Sequence, residues 1–433
     1  MKLSFLLKPA DLLFFRDAVP MSAGQGRGAG CRMPFPTTFH EALRTSLLMA
    51  ADKLPSGKQV FGRPQSAPRK GSYQPGGTQI GSTAFQSLQT IGPLPFLDGG
   101  NLRKGLLLPV PLDVQFADGA LFKDKLYAWK DALACPRESE KTFKPPCLPT
   151  PVREKKKEGG GWWTLDQYRI YLADSEHVGN NDLEPIPQQE LWLAERRIGV
   201  RIDPGSFCAA TGDLFLGMYL RPQLDLGFAA GATLKRPAEH ERALLSSLDW
   251  ILWGGERRLC HVDRFPNDPF LDPLFGKPPE PTSASGPCLL KWVLGTPAFF
   301  VHGSLPGWCA PAEGTADGKA LGQVRLRGLN GRAFLVAWRL GKPLTYSGWD
   351  LSAGGAKPTQ LAVSAGSVYY FLCEDSDTAE ELASLLHWKP RSDFYGEKGC
   401  GYGLTSFRAE FHGASELTQN ELWEKLLQKE NMQ

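Results

Sequence analysis

Long apolar runs are missing from this chain. No stretch of its 433 residues approaches the roughly 20 apolar positions that cross a bilayer. The opening MKLSFLLKPADLLFF has neither a small-residue cleavage site nor an uninterrupted apolar core, so a cytosolic protein with no membrane partner is expected. The nine cysteines form no CxxC pair, and neither a zinc ribbon nor a redox pair is indicated. The seven histidines (His40, His177, His240, His261, His302, His387, His412) offer no H-x-x-x-H or similar metal spacing, and no metal is expected. A G-x-S-x-G elbow and a cysteine-nucleophile signature are also absent. So are a P-loop G-K-[ST] and a G-x-G-x-x-G that runs straight into a helix. Neither a cofactor nor a set of catalytic residues is expected.

What the chain does have is enough apolar matter for real burial. It is 42% hydrophobic, with 12 Trp and 24 Phe, and its length exceeds one ordinary core, which points to two domains. The net charge of +3 hides an asymmetry. Residues 1–110 carry 13 Lys/Arg against 5 Asp/Glu, and residues 111–433 carry 36 against 41. A basic front on a nearly neutral protein suggests a localised surface for a polyanion, although charge clustered by chance on solvated loops would look the same.

KLSFLLKP (2–9) reads as a strand and FPTTFHEALRTSLLMAADKL (35–54) as a helix capped by Thr37 or Thr38, with Phe39, Ala42, Leu43, Ser46, Leu47 and Ala50 at helical spacing. Residues 53–82 hold five Lys/Arg, no acid and many Gly, Pro and Ser, the composition of an extended basic arm. Residues 135–161 read as a second insertion. The proline-dense 265–287 marks a boundary between halves 1–268 and 285–433.

Each half closes on a helix, a glycine-rich loop and a strand. In the first, Leu244, Leu245, Leu248 and Ile251 share a helix side ahead of GGERR (254–258). In the second, AEELASLLHW (379–388) precedes GEKGCGYG (396–403) and the strand 404–411. Further strands are expected at 213–222, 289–301, 322–328, 332–340 and 366–373. Strand, helix, two strands, helix, strand is the ferredoxin-like order shared with RNA-recognition modules. The expected class is therefore α+β, two tandem ferredoxin-like (RRM-like) domains with basic loop or hairpin insertions.

The loop between the first strand and first helix alternates Gly24, Gly26, Gly28 and Gly30 around Arg27. Bare backbone N–H groups can approach phosphate oxygens closely, and Arg16, Arg27 and Arg32 supply charge, an arrangement that fits an RNA backbone better than a mononucleotide. In GGERR, Arg257 and Arg258 should face opposite sides of a strand start, one held by Glu256 or an aspartate and the other toward solvent or phosphate. An arginine that merely pins the turn is the plain alternative. In SAGSVYYF (364–371) only one of Tyr369 and Tyr370 should reach the core. His40, one turn before Arg44, could act as general acid or base on a ribose 2′-hydroxyl, giving a metal-independent endoribonuclease. No second catalytic group is evident beside it, and a helix-surface histidine touching a strand or phosphate is the plainer use.

Taken in order, LLFFRDAVPMSAG, FPTTFHEALRTSLL, TIGPLPFL (90–97), LPVPLDV (108–114), ERRIGVRID (195–203) with GDLFLGMYLRP, GGERR, SGWDL (347–351), SAGSVYYF and GYGL resemble the RAMP-superfamily subunit-three family of Cmr-type (type III-B) CRISPR effector complexes. The resemblance implies two tandem RAMP domains and a non-catalytic subunit. That subunit holds the repeat-derived five-prime handle of CRISPR RNA, bridges the large polymerase-like subunit to the first backbone RAMP subunit, and meets target RNA only indirectly. It also implies RNA contacts at Arg16, the loop with Gly24, Gly26, Arg27, Gly28 and Arg32, Arg44, Arg257, Arg258, Gly401 and Gly403. His40 lies outside the family pattern; it is a further RNA-contact candidate from its own place on the first helix near the glycine-rich loop. A processing endoribonuclease on the same fold and a purely structural bridge between subunits are the competing readings.

Overall fold

The computed structural model describes residues 1–16, 33–54, 84–98, 105–117, 120–130, 145–150, 160–173, 183–203, 205–265, 267–281, 286–309, 322–350 and 355–431. Gly24, Gly26, Arg27, Gly28 and Arg32, nearly all of the basic arm and most of 135–161 lie outside these residues.

The elements that carry the fold run in the order β1 (Lys2–Pro9), α1 (Pro36–Ala50), β2 (Leu88–Leu97), β3 (Gly105–Pro109), β4 (Trp162–Thr164), α2 (Leu165–Ala173), β5 (Trp192–Ile202), β6 (Ala209–Pro222), β7 (Leu226–Leu234), α3 (Glu239–Ser247), β8 (Trp250–Trp253), β9 (Arg258–Arg264), β10 (Cys288–Leu294), β11 (Ala333–Arg339), β12 (Val368–Cys373), α4 (Ser376–Leu386), β13 (Gly403–Ser406) and α5 (Gln419–Asn431). The chain is a mixed α+β protein with antiparallel sheets. A seven-stranded sheet has the order β8-β9-β1-β7-β2-β3-β4 and a four-stranded one the order β11-β12-β10-β13. Strands of the first come only from residues 2–264 and those of the second only from 288–406. The cores are not so divided, because one apolar cluster joins Leu94 and Ala229 of the large sheet to Val293, Val336 and Tyr370 of the small one and to Trp423 of α5.

Four sequence expectations change. First, α1 has no side-chain cap. Its N-cap is Phe35, Pro36 fills the first turn, Thr38 donates back to the Phe35 carbonyl at 2.7 Å, and Thr37 is fully buried. Second, the helix before GGERR ends at Ser247, and Trp250–Trp253 forms β8 against β9. Ile251 and Trp253 alternate onto the core face, where a period of two beats the helical one. Third, Tyr369 and Tyr370 are both buried, at 0% and 1% exposure, because β12 is a central strand covered on both faces. The expected strand 322–328 is reduced to a single bridge from Gln323 to Phe334.

Candidate nucleic-acid interface

The glycine-rich loop springs from two anchors. On its N-terminal side Leu12, Leu13, Phe14 and Phe15 are buried. Leu13 exchanges both backbone hydrogen bonds with Leu220 of β6, at 2.9 and 2.8 Å. Phe14 stacks on Tyr219 with centroids 4.8 Å apart, and Phe15 meets Trp253 edge-on at 5.2 Å. Arg16 then emerges exposed. On the C-terminal side Phe35 packs against Tyr346 and Phe299, at 5.2 and 5.9 Å. The described residues that flank the glycine-rich segment are thus tied, before it, to β6 and the large sheet and, after it, to the second half.

The GGERR turn sits on the first anchor. Gly255 N–H donates to the Phe14 carbonyl at 2.7 Å. A Cβ on Gly254 would lie 2.6 Å from that same oxygen, and one on Gly255 would lie 2.7 Å from the Phe14 ring, so only glycine lets the two segments meet. Glu256 and Arg257 follow with φ of 58° and 51°. The Glu256 carboxylate accepts from the Tyr219 hydroxyl and from the Arg258 guanidinium, both at 2.6 Å. Arg258 lies over the Tyr219 ring at 5.2 Å. Burial, followed by the Glu256 carboxylate, pushes the tyrosine pKa up and keeps that hydroxyl a donor. Arg258 is half-buried and Arg257 exposed.

Beside the turn, β5 and β6 form a separate two-stranded ribbon, paired from Trp192 and Pro222 out to Ile202 and Ala209. On one face Arg221 and Arg197 both bind Glu195 and hold its carboxyl down at about 2. Arg197 also lies 5.7 Å over Tyr219. The other face presents Arg196 with Ile198, Val200 and Ile202, these three 76%, 37% and 51% exposed. These ribbon residues were missed as site residues, although ERRIGVRID alternates charge and aliphatic at a spacing of two, the signature of a two-faced strand.

The second glycine-rich segment is packed against the protein's own chain. Gly401 and Gly403 are buried. Gly401 has φ +77°, and a Cβ there would lie 2.3 Å from the Ser392 backbone nitrogen. At Gly403 it would lie 2.4 Å from Trp292 Nε1 and 2.6 Å from the Val293 carbonyl. These glycines make room for chain, and their burial lends no support to the expected RNA contact at either. Their loop docks on α1 instead, where Lys398 pairs with Glu41.

His40 is likewise no surface residue. It is 5% exposed, with Nδ1 3.1 Å from Thr90 Oγ1. Burial, with help from Lys398 and Arg44, lowers its pKa to about 4. Arg44 is half-buried, and its Nη2 donates to the Ala84 carbonyl at 3.4 Å. Arg257 and Arg258 are therefore the described candidates that the fold gathers around Phe14 and Tyr219, with Arg16 two residues along the chain from Phe14.

Residues 5–407 match the family described as CRISPR-associated protein, Cas_Cmr3. The chain belongs to that family. It is accordingly a subunit of Cmr-type CRISPR machinery, in agreement with the resemblance carried by its motifs. No curated protein matches it. Among solved structures, a chain of the type III-B Cmr-beta bound to cognate target RNA is 13% identical with a TM-score of 0.42, over 85% of this chain and 86% of that one. A chain of the Csm3-Csm4 subcomplex of the type III-A CRISPR-Cas interference complex is 11% identical with a TM-score of 0.35, over 86% of this chain and 94% of that one. Among the described residues of this family member no helix is long and apolar enough to cross a membrane, and no cluster of His, Cys, Asp or Glu could hold a metal ion.

Proposed function

We propose that this chain is the non-catalytic, cytosolic subunit of a type III-B complex that binds the repeat-derived five-prime handle of CRISPR RNA and bridges the large polymerase-like subunit to the backbone RAMP subunits. The observation that carries the reading is the convergence of Arg16, at the root of the glycine-rich loop, with the Arg257–Arg258 turn and the arginine-bearing ribbon on one aromatic anchor. Phosphate contacts from such a group would set the register of a guide strand, leaving base contacts to specify it. The buried, neutral state of His40 supports a holding role over cleavage.

Two tandem ferredoxin-like units, 1–268 and 285–433, are the architecture we infer. The order β9-β1-β7-β2, with α1 after β1 and α3 after β7, supports the first. The order β13-β10-β12-β11, with α4 after β12, supports a second unit that lacks the first helix among its described residues.

The test is guide-RNA retention by the complex reconstituted with and without this chain, using guides with an intact or a scrambled repeat-derived leader. Loss of the intact-leader preference when the chain is omitted is the expected result. Equal retention of both guides with the chain present refutes handle binding. Partner binding that survives nuclease treatment with no guide effect would favour the purely structural bridge.

A further inference from the structure

Two adjacent non-glycine residues, Glu256 and Arg257, occupy the left-handed region, with φ of 58° and 51°. Each such placement is strained for a residue with a Cβ and persists only where the surroundings over-determine it. Here they do. The two glycines ahead of the pair are wedged against Phe14, and Gly255 is hydrogen-bonded to the Phe14 carbonyl at 2.7 Å. Behind the pair, the Glu256 carboxylate is fixed by the Tyr219 hydroxyl and by Arg258. Tyr219 is itself only 4% exposed and stacked on Phe14.

The two arginines of the turn therefore do different work. Arg258 is committed to Glu256 and to the Tyr219 ring, so its charge is already answered inside the protein. Arg257 is exposed and has no acidic partner among the described residues. Resting on the handle-binding reading, we infer that Arg257 is the turn's phosphate-contacting residue for single-stranded RNA, and that Glu256 and Tyr219 are positioning residues that hold it in a strained backbone conformation. A side chain used only for packing would gain nothing from that conformation, and glycine or asparagine would occupy it with less strain.

The test uses the full-length chain and a labelled single-stranded RNA bearing the repeat-derived leader of its own locus, with melting temperature, affinity and salt dependence measured on each variant. Arg257→Gly should raise the melting temperature, because it relieves the strain. It should weaken RNA binding at least ~3-fold and make the slope of log K against log salt shallower by about 0.7, the loss of one phosphate contact on a single strand. Arg257→Lys should restore the slope.

Glu256→Ala removes a negative charge from a polyanion-binding surface, which by charge alone would tighten binding. As the loss of a positioning residue it should instead weaken binding and flatten the slope, and Glu256→Gln, which still accepts from Tyr219, should recover part of both. Tighter binding by Glu256→Ala overturns the positioning role. Unchanged affinity and slope in Arg257→Gly overturn the phosphate contact, and if that variant loses only nuclease-resistant partner binding, the residue serves a protein interface. Failure of the wild-type chain to prefer this RNA over a scrambled one defeats the handle-binding reading itself, a result distinct from any variant's.

Discussion

Lys291 Nζ lies 3.2 Å from the Asp113 carboxylate, with both side chains 1% exposed. Lys291 is the single charged residue in β10, otherwise an unbroken apolar strand, and Asp113 comes from the first half. Tyr171 and Tyr370 also donate to Asp113, at 2.6 and 3.1 Å, and Lys291 stands 3.9 Å over the Tyr171 ring. Burial lowers the lysine pKa while Asp113 opposes that shift. The pair thus clasps the two halves at the centre of their shared core.

Breaking this pair from one side should be far worse than neutralising both. Lys291→Met leaves a buried carboxylate unanswered and is expected to cost about 3–5 kcal/mol. Lys291→Met with Asp113→Asn keeps one oxygen to accept from a tyrosine hydroxyl and offers an amide N–H to the other hydroxyl oxygen, and should recover more than half of that loss. Urea unfolding of the two variants measures the difference; equal stabilities would mean that the charges are solvated and the clasp is not formed.

His40 makes stability depend on acidity. Its pKa falls from 6.5 unfolded to about 4 folded, so both states are neutral above pH 6.5. Between pH 6.5 and 4 only the unfolded chain binds the proton, and about 3 kcal/mol of stability should be lost across that window. Burial is the main cause; Lys398 and Arg44 add to it and Glu41 opposes it. His387, buried against Thr405 and the Leu274 carbonyl, shifts in the same direction. Denaturation free energies from pH 7 to 4 should fall less steeply for His40→Gln than for wild type, and identical slopes would show that His40 is solvated.

Much of the frame was legible because it follows from local pattern. The spacing of Phe39, Leu43 and Leu47 foretold α1, and each is at most 1% exposed. Alternation foretold β1, β6, β11 and β12 within a few residues. Burial of both Tyr369 and Tyr370 was not legible, since it depends on what covers the second face of the sheet, a property of tertiary packing alone. The site divided the same way. Glycine density marked both loops, but the sequence does not say whether a missing side chain admits a phosphate or a neighbouring stretch of chain, and at Gly401 and Gly403 it admits the chain, Ser392 at the first and the strand residues Trp292 and Val293 at the second. The role of the ribbon's Arg197 is not legible in the sequence because it comes from Tyr219, which only folding brings between that arginine and Glu256.

Gly403→Ala separates these two uses of glycine. The added methyl would press on Trp292 and on the Val293 backbone, so a stability loss of roughly 1–3 kcal/mol is expected. RNA affinity of the folded fraction should be unchanged, because the position is packed against the protein's own chain. A variant of normal stability with weakened RNA binding would return this loop to the interface.

Arg16→Ala should show the opposite profile. The residue is exposed just past the buried run Leu12 to Phe15, so truncation removes charge without opening the core, and the melting temperature should stay within the small range of ordinary surface substitutions. If Arg16 answers one phosphate of a single strand, the salt slope drops by about 0.7 and affinity falls most at low ionic strength, converging on wild type as salt rises. Titrations at two or more salt concentrations are needed, since a lost base contact would lower affinity equally at all of them and reveal itself as a changed sequence preference. A parallel offset would therefore move Arg16 from phosphate positioning to base reading, and no change at either salt would remove it from the interface.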